Sequence, residues 1–303
     1  MFLLVKSRTV YSTLPTERNN PRSRHIDRVS LIQALRIINN EDARVARAVR
    51  AQLPAIEKAV RMLLFSFRAG GRLFFIGAGT SGRLGVLEAA ECPPTFNTPR
   101  SMVQALMAGG RMCVFASKEG AEDRGADAAR FVRGKVRERD VVVGIAASGV
   151  TAFVRDGLLA ARARGAQTIL VTCHSGKFTS PAHHTIAVDT GPEVIAGSTR
   201  LKAATATKMV LNMLTVGSMV QLGKVYGNRM VDLQPRSAKL TARATNLIAQ
   251  LAGVSSTRAA QLLRQAGGNA KTAIVMAKKK LARPQAAKLL DDVNGHLHAA
   301  LAE

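Results

Sequence analysis

Acidic residues are scarce in this chain, 20 Asp and Glu against 44 Lys and Arg, so its few carboxylate clusters stand out. Glu88 and Glu91 stand three residues apart in a helical pattern, and Glu91 runs straight into Cys92-Pro93-Pro94. Two successive prolines forfeit backbone N–H groups and predict the end of that helix. Glu91 is then expected at a helix C-terminus, where the dipole disfavours an ionised carboxylate and suits a general acid. A second cluster reads Glu119-Gly120-Ala121-Glu122-Asp123-Arg124. Glu122 fits an acid/base residue, and the same cluster fits an acidic helix start. For the first cluster the plain alternative is a solvated surface glutamate, and for the second it is that acidic helix start.

Loops rich in Gly, Ser and Thr offer a place for an anion. Arg72-Leu73-Phe74-Phe75-Ile76 leads into Gly77-Ala78-Gly79-Thr80-Ser81-Gly82, and Val141-Val142-Val143-Gly144-Ile145-Ala146 leads into Ala147-Ser148-Gly149-Val150-Thr151. Each reads as a buried parallel strand, a tight loop and a helix start. Glycine lets the backbone approach a ligand closely, while hydroxyls and helix N-terminal amides hydrogen-bond an anion. Gly79, Thr80, Ser81, Ser148, Gly149 and Thr151 are therefore the candidate phosphate-binding residues. The first loop lacks the acidic partner of a dinucleotide site and the Gly-Lys-Ser/Thr of a P-loop, so a small monophosphate fits best. A third constellation is Gly191-Pro192-Glu193 followed by Gly197-Ser198-Thr199-Arg200-Leu201-Lys202. Ser198 or Thr199 is expected to cap a long helix, with Arg200 and Lys202 in its first turn. Cations are disfavoured there, and an anionic ligand would offset the cost.

These loops need a scaffold. Strands and helices alternate from residue 72 to about 172, which predicts a mainly parallel sheet sandwiched by helices, a Rossmann-like three-layer α/β fold. Residues 1–29 carry turn formers without periodicity and read as an extended arm; residues 30–236 read as the catalytic domain. Residues 237–303 show helical stretches at 239–252, 256–266, 269–281 and 284–302, a small all-helical subdomain.

With 303 residues, 47% of them hydrophobic, the chain can bury one large α/β unit and an appendage. No run of apolar residues is long enough for a membrane span and no secretory signal is apparent, so the cytoplasm is the expected location. Cys92, Cys113 and Cys173 have no metal-ligand or disulfide spacing, and the six histidines add none, so no metal is expected. The net charge of +24 is spread along the chain with 4% aromatics, which argues against nucleic acid as partner and favours anionic substrates by steering.

Taken in order along the chain, the motifs resemble the N-acetylmuramic acid 6-phosphate etherases. They include Thr16-Glu17-Arg18-Asn19, Ile37-Ile38-Asn39-Asn40-Glu41-Asp42, Gly77–Gly85, Glu91-Cys92-Pro93-Pro94-Thr95 and Glu119–Asp123. Val141–Gly149, Gly191–Val194, Gly197–Lys202, Lys208–Leu214 and Gly223–Asp232 follow. The likeness runs from about residue 14 to the C-terminus. It implies a sugar-isomerase-type (SIS) fold, a homodimer, and a lyase that removes D-lactate from an amino-sugar phosphate without redox cofactor or metal. In the open-chain sugar the C2 proton is alpha to the C1 aldehyde and the lactyl ether at C3 is beta. A base takes that proton, lactate leaves, and water adds to the enal. By the resemblance, Glu91 protonates the departing lactate and Glu122 is the second acid/base residue, acting at C2. Thr80, Ser81, Ser148 and Thr151 would hold the phosphate. Two departures are visible: Val150 stands where the family usually has arginine, and Leu201-Lys202-Ala203-Ala204-Thr205 replaces Met-Lys-Ala-Gly-Thr. A non-catalytic sugar-phosphate-sensing regulator on the same fold is the alternative.

Overall fold

The fold is known from a computed structural model, which describes residues 14–302 apart from 175, 177, 178, 234 and 236. The chain divides into two compact units, residues 1–89 with 101–214, and residues 90–100 with 215–303.

The first unit is built on five parallel strands: β1 (Leu73–Gly77), β2 (Val103–Met107), β3 (Val141–Ile145), β4 (Gln167–Thr172) and β5 (His184–Ala187). Their order is β2-β1-β3-β4-β5. Every residue of β1 and β3 is buried, as their unbroken apolar runs require in a sheet covered on both faces. On one face α5 (Gly125–Lys135) and α6 (Ala152–Ala163) pack Val132, Val154 and Leu158 against Phe74, Ile76 and Val142. On α4 (Gly79–Phe96), a Cβ at Gly85 would stand 2.9 Å from that of Phe75, so only glycine permits this helix–strand approach.

Ahead of the sheet come α1 (Leu31–Asp42), α2 (Val45–Arg50) and α3 (Leu53–Arg68). The Ser30 amide donates to Gln33 Oε1 at 3.0 Å, one half of a capping box, and Pro54 sits in the first turn of α3. The predicted arm differs from what is found. Residues 1–13 lie outside the described residues, and residues 15–28 carry three 3₁₀ turns rather than an extended strand. The cause is tertiary: Leu14 and Thr16 are buried, and the Gly197 amide donates to Thr16 O at 3.0 Å.

The end of the sheet opposite the glycine loops is tied by charge, where β1 and β3 begin. Asp140, 2% exposed, accepts from the Arg72 amide and guanidinium and from the Arg137 amide.

A long helix, α7 (Lys202–Gln221), begins in the first unit. The second unit holds a two-stranded hairpin, β6 (Val225–Tyr226) with β7 (Arg229–Met230), and five helices. These are α8 (Ala238–Ala252), α9 (Ser256–Gln265), α10 (Ala270–Lys279), α11 (Arg283–Asp292) and α12 (Leu297–Leu301). Ser237, Ser255 and Asn269 cap α8, α9 and α10 through their side chains. The stretch expected as one helix over 284–302 is two. Asn294 and Gly295 both take positive φ, 52° and 75°, which stops α11 and lets α12 restart.

Candidate active site

The strand order runs from β1 outward in both directions, to β2 on one side and to β3, β4 and β5 on the other. The crevice beyond the carboxyl ends of β1 and β3 is therefore the topological switch point, where open α/β sheets bind ligands.

At β1 the chain passes from Gly77 directly into α4. Gly82 N donates to Ala78 O, and a Cβ on Gly82 would lie 2.6 Å from Gly77 O, so the first turn of α4 sits on the strand end itself. Thr80 and Ser81 ride on that turn, whose amides have no intrahelical partners. At β3, Gly149 adopts φ +78° and donates its amide to Ala146 O, while Ser148 Oγ accepts from Val150 N at 3.3 Å. Thr151 then takes the N-cap position of α6. Two helix N-termini with hydroxyl side chains thus converge on one crevice, the arrangement that holds a phosphate.

That crevice is a cavity of about 380 Å³. Thr80, Ser81, Ser148 and Thr151 line it, as does Gly79. The loop after β2 brings Lys118, Glu119 and Glu122. Arg83 lines it too, its Nε donating to Val114 O at 2.9 Å. Thr16 and Glu17 enter from the N-terminal segment beside Gly197 and Thr199. Sequence reading assigned Thr16, Glu17, Arg83 and Lys118 no role at the site, and expected Thr199 only as a possible helix cap, whereas the long helix begins at Lys202. The signal for Glu17 lay in Thr16-Glu17-Arg18-Asn19, but without periodicity nothing showed where that segment would dock.

The remaining candidates lie elsewhere. Gly149 and Ser198 are not among the residues lining the cavity. Glu91 does not line it either; it is an exposed residue of α4, about three turns beyond Gly79. The expectation that α4 stops at the prolines is corrected. The helix continues through Pro93 and Pro94 to Phe96 and ends where Asn97, at φ 53°, donates its amide to Pro93 O. Each proline withdraws one N–H, toward the carbonyls of Ala89 and Ala90, without terminating the helix. Glu91 thus lies a full turn and more before the C-terminus, and the dipole argument made for it loses its basis.

The start of α7 is corrected as well. The helix begins at Lys202, leaving Arg200 exposed ahead of it. The anion at its N-terminus is a protein group: Glu193 accepts from the Lys202 amide at 3.0 Å and the Ala203 amide at 2.9 Å. The Lys202 ammonium, 1% exposed, donates to Glu41 Oε2 at 2.5 Å, and Asn20 donates to the same oxygen at 2.7 Å. Burial alone would push the Glu41 carboxyl up. Hydrogen bonds from Lys202 and Asn20 and the charges of Lys202 and Arg22 outweigh that and hold it below its ordinary value. Lys202 is thus consumed by a structural ion pair.

Among the described residues, no three His, Cys, Asp or Glu converge to hold a metal, and no helix is long and apolar enough to cross a membrane. Burial pushes the Cys173 thiol up to about 12, which keeps it an inert core group.

Residues 122–217 match the SIS domain, and residues 55–161 match the glucokinase regulatory protein N-terminal SIS domain. A phosphoheptose isomerase from Francisella tularensis shares the fold, with a TM-score of 0.50 at 16% identity over 64% of this chain and all of that one. Whole-length relatives are much nearer in sequence. The N-acetylmuramic acid 6-phosphate etherase of Rhodopirellula baltica is 48% identical over 95% of this chain and 96% of its own. That of Geobacillus thermodenitrificans is 46% identical over 95% and 98%, and that of Symbiobacterium thermophilum 49% over 86% and 88%. At such identity across nearly the whole length, this chain belongs to the N-acetylmuramic acid 6-phosphate etherase family.

Proposed function

We propose that the protein is a cytoplasmic carbon–oxygen lyase. It cleaves the lactyl ether of N-acetylmuramic acid 6-phosphate by elimination and rehydration, leaving N-acetylglucosamine 6-phosphate and D-lactate. The observation that carries this reading is the cavity at the β1/β3 switch point. Hydroxyls on two helix N-termini there face the same space as Glu122. The phosphate sits on Thr80, Ser81, Ser148 and Thr151, with the amides of the α4 and α6 starts completing its hydrogen bonds. Lys118 and Arg83 add positive charge toward an anionic substrate.

Glu122 removes the C2 proton and returns one after hydration. Glu91 protonates the departing lactate. Glu91 is exposed on α4, and the reading includes a homodimer in which each chain presents Glu91 to its partner's cavity. The experiment is twofold. Incubation with N-acetylmuramic acid 6-phosphate should release D-lactate; binding without release would make the protein a sensor. Glu91→Gln and Glu122→Gln chains, each inactive alone, should on co-refolding recover up to about a quarter of wild-type activity, because mixed dimers carry one intact site. No recovery would refute the shared site.

A further inference from the structure

Elimination needs a free aldehyde at C1, whereas an aldose phosphate in water is almost entirely a closed ring. Something must open it. Glu91 and Glu122 already have tasks at C3 and C2, and no histidine is among the residues lining the cavity.

Glu17 is a third carboxylate facing that space, and it is held unusually well for a residue in a terminal segment. Its amide donates to Leu14 O at 3.0 Å, and both Leu14 and Thr16 are buried. The Gly197 amide pins Thr16 O, and Thr16 Oγ1 donates to Glu17 Oε1 at 3.2 Å. Glu17 Oε2 lies over Gly197, a residue at φ +77° where a Cβ would stand only 3.1 Å from that oxygen. Among the described residues no lysine or arginine pairs with Glu17. The carboxylate is thus positioned and, among the described residues, has no cationic partner, which suits general-base work. Glu119, the other carboxylate in the cavity, sits on the same loop as Glu122. Glu17 comes from a different segment, beside Gly197 and Thr199, and so can attend another part of the sugar.

We propose that Glu17 catalyses the opening of the sugar ring before elimination, an inference that rests on the etherase reading above. The carboxylate takes the C1 hydroxyl proton, the C1–O5 bond breaks with its electron pair going to O5, and a water proton completes the C5 hydroxyl. The C1 aldehyde forms, and Glu17 returns its proton to solvent, so the step is balanced.

The test uses N-acetylglucosamine 6-phosphate, which has no lactyl group to eliminate, and follows α/β anomer exchange by NMR. Wild-type protein should accelerate the exchange. Glu17→Gln should cut that acceleration about a hundredfold, while Glu57→Gln, which alters an exposed carboxylate of α3 outside the cavity, should keep it. If Glu17→Gln does not fold, as judged by its melting curve, Glu17→Asp takes its place and should lose about tenfold by shortening the same carboxylate. Undiminished exchange in the folded variant overturns the proposal. So does a wild-type protein that releases lactate yet leaves anomer exchange at the buffer rate. Absence of lactate release with exchange intact would instead sink the etherase reading and leave Glu17 as the ring-opening group.

Discussion

Glu41 and Glu193, at the start of α7, are 3% and 1% exposed, and every one of their oxygens meets a donor of the protein itself. Glu17 and Glu122 are exposed, face the cavity, and pair with no lysine or arginine among the described residues. All four belong to the same compact unit. The first pair shows where acidity builds: it neutralises a buried ammonium and satisfies two orphan amides of a helix. The second pair shows where acidity is left available, with lone pairs that a substrate can meet. Residue type does not separate these uses; partners and burial do.

The sharpest way to break this contrast is to remove the charge from each side. Glu122→Gln should lower lactate release about 10² to 10⁴-fold, the range for a lost general acid/base, with an unchanged melting temperature. Glu41→Ala should do the reverse. It leaves the Lys202 ammonium buried and unpaired, which costs about 3 to 5 kcal/mol in urea unfolding. If Glu41→Ala unfolds like wild type, the structural role assigned to this carboxylate is wrong.

The same pair gives a pH dependence. The native Glu41 carboxyl is held below its ordinary 4.5, so the stability it contributes is present above that value and lost as pH falls through the native one. Acid unfolding followed by circular dichroism should therefore soften in Glu41→Gln relative to wild type over that acidic range. A smaller effect is expected at the proposed phosphate cradle. Ser148→Ala removes one hydrogen bond to a charged group, worth about 1.5 kcal/mol, and should raise KM about tenfold with little change in kcat. Equal loss in both would mean that Ser148 acts on the transition state.

Much of the architecture could be read from the chain because its central strands are unbroken apolar runs. β1, β3 and β4 announced themselves in this way, and the candidate glycine and hydroxyl residues that follow β1 and β3 lie at the cavity, Gly149 excepted. β2 did not, because Val103-Gln104-Ala105-Leu106-Met107 lies at the sheet edge with a mixed pattern. Pro93-Pro94 misled, since proline weakens a helix without always ending it. Arg200 lies exposed ahead of the helix, whereas the awkward cation at Lys202 did mark a real electrostatic cost. Its remedy was Glu193, nine residues upstream, and Glu41, which only the folded chain brings near. Glu17 was hidden for the same reason: its place depends on docking against Gly197, far off in sequence.

The central claim is that a C2 proton is removed before lactate leaves, and isotope incorporation tests it most directly. Turnover of N-acetylmuramic acid 6-phosphate in D₂O should yield N-acetylglucosamine 6-phosphate carrying deuterium at C2, with one D-lactate per product. Lactate released with the original hydrogen retained at C2 would contradict elimination and the role given to Glu122.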